Sequence, residues 1–114
     1  MIVQIFGTPK CRDTRKAERF FKERRINIQL VDLREKGLSP GEFRNITQVI
    51  PPEDLIDTEG KQYQKRNLAY MKFDLEEELL EDPLLLRTPI VRFGYKVTVG
   101  YEPDVWKEWI SEQQ

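Results

Sequence analysis

Cys11 is the single cysteine of a 114-residue chain that contains no histidine. Without histidine there is no imidazole base, no His-ligated metal and no triad that needs one. One cysteine excludes an internal disulfide, a zinc or iron–sulfur Cys cluster and a CxxC dithiol. What remains is a lone thiol acting as a nucleophile. It lies in Thr8-Pro9-Lys10-Cys11-Arg12-Asp13-Thr14-Arg15-Lys16, between a short apolar run and an amphipathic segment. A thiol at the start of a helix meets unpaired backbone N–H groups and a partial positive charge, both of which favour the thiolate. Lys10, Arg12, Arg15 and Lys16 add to that field and Asp13 opposes it. Such a thiol should be partly exposed, acidified and nucleophilic at neutral pH. The competing reading is a small apolar residue at a turn; the junction of strand and helix favours the chemical one.

Periodicity predicts the elements that carry this thiol. Ile2 to Phe6 reads as a strand buried on both faces. Ala17, Phe20 and Phe21 recur at helical spacing against a charged face, which predicts a helix from Thr14 to about Arg25. Ile26, Ile28 and Leu30 alternate with Asn27 and Gln29 into Val31-Asp32-Leu33, a second strand, and a βαβ unit makes the two strands parallel. Ser39-Pro40-Gly41-Glu42 is a capping box that starts a helix bearing Phe43, Ile46 and Ile50, and Pro51-Pro52 stops it. Residues 53–73 are polar and weakly patterned, read as short helical turns around Thr58-Glu59-Gly60. Asp74 caps a helix with Leu75, Leu79 and Leu80 facing inward until Asp82-Pro83. Ile90–Phe93 and Lys96–Val99 form an antiparallel hairpin about Gly94-Tyr95, and Glu102-Pro103 opens a last helix with Val105, Trp106, Trp109 and Ile110 on its apolar face.

With 19 basic and 20 acidic residues the net charge is −1, which argues against direct nucleic-acid binding. A chain of this length buries roughly two thirds of its unfolded surface, enough for a single domain over residues 1–114. No repeat or linker divides it. The opening residues lack the basic and apolar regions of a signal peptide, and no run approaches the ~20 apolar residues that span a bilayer. Together with the free thiol this points to a reducing, cytoplasmic setting and no membrane partner. Phe20, Phe21, Trp106 and Trp109 read as core. Glu76-Glu77-Glu78 reads as a solvated helix start, and the cations from Arg12 to Arg25 as a solvated face or a docking face for an acidic partner. The scattered glycines form no phosphate-cradling loop.

The chain resembles the arsenate reductase (ArsC) and Spx family along nearly its whole length. Cys11-Arg12-Asp13-Thr14-Arg15 is similar to that family's C-x-x-[CST]-R loop, and Leu85-Leu86-Arg87-Thr88-Pro89-Ile90 to its L-x-R-P-I segment. Val99-Gly100-Tyr101 resembles the Spx branch. The resemblance implies an α/β, thioredoxin-like (glutaredoxin-type) fold with a mixed four-stranded sheet, a βαβ unit, a helical insertion and a ββα unit. It implies that Cys11 is the reactive thiol, that Arg15 lies beside it, and that Pro89 follows a cis bond from Thr88 next to the site. Arg12, Arg87, Thr88, Pro89 and Arg92 become candidate substrate-binding residues, with no metal. The departures weigh against arsenate. Asp57, Thr88 and Gly100 or Tyr101 stand where the family's oxyanion-binding arginines are expected, and a carboxylate repels an oxyanion. Arg66, Arg87 or Arg92 are the cations left to replace them. Thr14 replaces the second cysteine of the redox-sensing branch; its hydroxyl can donate to the thiolate but cannot resolve a mixed disulfide.

These readings imply a small monomeric thiol oxidoreductase with no bound cofactor. It would use Cys11 and an external thiol, either glutathione as co-substrate or a partner redoxin. The alternative is an Spx-like, non-enzymatic regulator that binds RNA polymerase or another protein. True arsenate reduction is the third reading.

Overall fold

β1 (Ile2–Gly7) is the central fact of the architecture, because it is paired on both sides. The computed structural model describes residues 1–113; Gln114, the end of the expected domain, lies outside the described residues. β1 runs parallel to β2 (Asn27–Asp32) and antiparallel to β3 (Ile90–Phe93), which pairs antiparallel with β4 (Lys96–Val99), giving the order β2-β1-β3-β4. Side chains alternate across a strand, so a doubly paired strand covered on both faces must be apolar throughout. Val3 and Ile5 point to one face and Phe6 to the other, all fully buried.

Two cores follow from that alternation. On one face α1 (Arg12–Glu23) and α5 (Pro103–Glu112) close over Val3, Ile5 and Val91 with Ala17, Phe20, Phe21, Trp106 and Trp109. On the other, α2 (Pro40–Thr47), α3 (Lys61–Lys65), α4 (Leu75–Glu81) and three 3-10 turns deliver Phe43, Ile46, Leu55, Leu68, Leu79 and Leu85 onto Phe6 and Ile90. α2 begins with the expected box: the Ser39 hydroxyl accepts the Glu42 N–H and the Glu42 carboxylate accepts the Ser39 N–H. The weakly patterned stretch does resolve into short helical turns around the Thr58–Gly60 loop.

Two boundaries differ from the periodic reading. α1 runs Arg12–Glu23 instead of Thr14–Arg25, because Arg25 takes a left-handed φ of 58° and the Arg25 and Ile26 N–H groups fold back onto Lys22 and Phe21 carbonyls. β2 is less buried than its alternation suggests: Leu30 is 45% exposed, since among the described residues β2 sits at the sheet edge and pairs with β1 alone. No helix among the described residues is long and apolar enough to cross a membrane.

Candidate active site

The turn from β1 into α1 sets Cys11 at the N-cap of α1, with φ −80° and ψ 118°. Its N–H donates to the Thr8 carbonyl at 3.1 Å, and its own carbonyl accepts the Arg15 N–H at 3.2 Å, so the residue is fixed from both sides. The side chain is half-buried and is the one free thiol. Its Sγ lies 3.7 Å from the Thr88 carbonyl oxygen, which accepts from the neutral thiol. The Thr88–Pro89 bond is cis and Pro89 is buried, leaving Thr88 at the sulfur.

Two effects compete over the thiol's ionisation. Partial burial pushes the Cys11 thiol up. Hydrogen bonds offered by the Thr14 and Thr88 side chains, then by the Thr14 and Asp13 backbone N–H groups, outweigh it and hold the thiol below its ordinary value. Thr14 is 2% exposed, and its hydroxyl completes no hydrogen bond elsewhere, which leaves it to donate toward the thiolate. A buried donor without an acceptor is unfavourable, and an adjacent thiolate removes the deficit. The hydroxyl can approach so closely because Gly7 lies behind it: a Cβ there would sit 2.3 Å from Thr14 Oγ1.

Acidification therefore comes from neutral donors, where the sequence pointed to cations. Arg15, expected beside the thiolate, turns its Nη1 to the Pro9 carbonyl at 2.6 Å and braces the loop that carries Cys11. Lys16 sits over the Tyr101 ring, 5.4 Å from its centroid. Arg12 is exposed at the mouth of the helix.

The sulfur opens into a cleft of about 480 Å³ whose walls include Thr8, Lys10, Asp57, Lys61, Leu86 and Thr88. No arginine lines it. Arg87 donates instead to the Asp54 carbonyl at 3.0 Å, and Arg92 to the Gly94 carbonyl at 3.0 Å. Arg66 is bound between Glu78 and Asp82 at 2.6 and 2.9 Å. None of the three arginines that were to replace the missing oxyanion ligands does so. Lys61 and Thr8 were not foreseen as cleft residues; Lys61 falls in the weakly patterned stretch, where nothing in the sequence tells which side of a short turn faces the thiol. A second groove of about 390 Å³ between α1 and α5 has Lys16, Arg19 and Tyr101 on its walls and lacks Cys11.

Among curated relatives the chain is 26% identical to the uncharacterized protein YusI of Bacillus subtilis over 115 residues, covering 95% of this chain and 98% of YusI. It is 30% identical to the global transcriptional regulator Spx of Staphylococcus saprophyticus over 117 residues, covering 98% of this chain and 89% of that one. Its backbone superposes on an arsenate reductase from Vibrio cholerae with a TM-score of 0.78 at 23% identity, over 95% of this chain and 97% of that one. The fold is thioredoxin-like. The ArsC family model matches residues 6–109, a span that starts at the end of β1, takes in Cys11 and closes within α5; the chain belongs to the ArsC family.

Proposed function

We propose that the protein is a thiol oxidoreductase of a reducing, cytoplasmic setting, with Cys11 as nucleophile and Thr14 and Thr88 as its supporting donors. The observation that carries the reading is a half-buried N-cap thiol, acidified by neutral donors and open to a cleft. The Cys11 thiolate attacks one sulfur of a substrate disulfide. A new S–S bond forms, the old one breaks, and the departing sulfur takes the electron pair and then a proton from water. Thr14 cannot act as a second thiol. An external thiol, glutathione or a redoxin, must therefore attack the mixed disulfide, release Cys11 as thiolate and itself become oxidised.

Arsenate reduction fits the cleft poorly. Binding a tetrahedral oxyanion takes convergent, bidentate donors, and here the cations are two lysines opposed by Asp57. The identity to the Staphylococcus saprophyticus regulator favours a second reading, a regulator that binds RNA polymerase or another protein partner.

Alkylation by iodoacetamide against pH tests the first reading directly. The rate should inflect below the ordinary thiol value of about 8.5, and the protein should form a Cys11–glutathione mixed disulfide while turning over little or no arsenate. An inflection at or above that value rules out an activated thiol. A normal, unreactive Cys11 together with retention of RNA polymerase in a pull-down would move the assignment to the regulator.

A further inference from the structure

We propose that the groove between α1 and α5 docks an acidic segment of a partner protein, one whose carboxylates flank an apolar or aromatic side chain. The groove lies apart from the Cys11 cleft, and the inference is independent of which chemistry that thiol performs.

Helical spacing brings the cations of α1 to this groove. Lys16, Arg19 and Glu23 stand at i, i+3 and i+7, one face of the helix, and Arg24 follows at its C-cap. Lys107 of α5 and the Tyr101 ring complete the walls. Four cations from two helices converge here against one carboxylate, in a chain whose net charge is −1.

Two of these cations are held on aromatic rings. Lys16 Nζ lies 5.4 Å from the Tyr101 centroid. The Arg24 guanidinium lies 3.7 Å from that of Phe20, and its Nη1 donates to the Phe20 carbonyl at 3.0 Å. A ring positions a cation without cancelling its charge, so both side chains have given up rotamer freedom before a ligand arrives and still offer it a full charge. Among the described residues, Lys16, Arg19 and Arg24 enter no ion pair, and Lys107 approaches the exposed Asp104 only to 3.9 Å. Tyr101 is 39% exposed, and tyrosine beside arginine is the pairing that contributes most at protein interfaces.

The same walls favour a peptide over a nucleic acid. A phosphate backbone is charged at every step and gains from an unbroken run of cations. Glu23 interrupts the α1 wall, and Asp104 and Glu108 share α5 with Lys107. A peptide can space its carboxylates to the cations and turn a backbone N–H toward Glu23.

Fluorescence anisotropy with a labelled Asp-Glu-Trp-Glu-Asp peptide and its amide counterpart, Asn-Gln-Trp-Gln-Asn, tests the proposal. The acidic peptide should bind about ten-fold more tightly, and salt near 1 M should remove most of the difference. Arg19→Glu combined with Lys107→Glu should weaken the acidic peptide about ten-fold. Lys36→Glu combined with Lys72→Glu makes the same change in net charge outside the groove and should leave binding within about two-fold. All four positions are exposed, so both variants should keep the fold, which circular dichroism checks. Arg19→Gln alone, with an expected loss of about three-fold, keeps the test decisive if the double variant folds poorly. Equal losses in the two double variants, or equal binding of the two peptides, overturn the proposal. Groove-dependent binding of a single-stranded oligonucleotide at the peptide's affinity or better overturns it in favour of nucleic acid. Groove-dependent self-association in sedimentation overturns it in favour of a second copy presenting its acidic α4.

Discussion

At the scale of single residues, the thiol's chemistry depends on a hydroxyl more than on a guanidinium. Thr14 Oγ1 is buried beside the sulfur without another partner, whereas Arg15 spends its charge on the Pro9 carbonyl. Thr14→Val keeps the shape and removes the donor, so the alkylation rate at pH 7 should fall about three- to ten-fold, by the loss of one hydrogen bond to a charged group. Arg15→Ala should have the smaller effect, and the reverse ranking would restore the guanidinium to the sulfur. The same shift has a consequence for folding. The folded thiol titrates below its unfolded value, so the thiolate adds stability above the ordinary thiol range and that contribution disappears as pH falls through the folded value. Urea unfolding of the protein and of Cys11→Ser should diverge progressively as pH rises toward the ordinary thiol range, with the native protein gaining on the alkaline side.

Among elements, the junction of β1 and α1 is where strand, loop and helix have to agree. Gly7 is buried as the last residue of β1, and an added Cβ would stand 2.3 Å from Oγ1 and 2.6 Å from Cγ2 of the buried Thr14. Gly7→Ala should cost about 2 kcal/mol by overpacking and displace the Thr14 hydroxyl from the sulfur. Combining it with Thr14→Ala should recover part of that loss, because two clashing atoms are removed. Additive costs in the double variant, read by chemical denaturation, would show that the two side chains do not meet. On the opposite wall, α3 and α4 are tied by Arg66 to Glu78 and Asp82 and by Gln62 to Asp82 at 2.7 Å. These bonds connect the weakly patterned stretch, and with it Lys61, to the helix behind it.

For the whole molecule, two cores hold the four-stranded sheet from opposite sides, and the cleft opens where their coverings meet. Leu33 and Leu86 from one core form part of its floor, while α1 from the other supplies Cys11. The α1/α5 core contains one polar bond, from Trp106 Nε1 to Thr98 Oγ1 at 2.8 Å, with Trp106 fully buried. Thr98→Val fills the same volume and strands the indole N–H. It should destabilise the protein by about 1–2 kcal/mol and lower Tm by about 5 °C, with the alkylation profile of Cys11 unchanged. A profile that shifted along with the melting curve would tie the thiol to the packing of α5.

The sequence determined the elements, their order and the position of the lone thiol. Apolar spacing, capping residues and prolines act within a few residues of themselves, so β1, the Ser39–Glu42 box and the Pro83 break were legible without coordinates, as was Cys11 at a helix start. The family resemblance added the mixed four-stranded sheet and the place of Pro89, and the strand order came only with the structure. Three further things waited for the tertiary structure. The exposure of Leu30 depends on β2 being an edge strand, which no local pattern states. The directions of Arg15, Arg87 and Arg92 were set by carbonyls left free in neighbouring turns, and a long flexible side chain goes to the nearest such acceptor. The cleft's charges come from residues 10, 57 and 61, which only the folding of the helical insertion against the β1–α1 turn brings together.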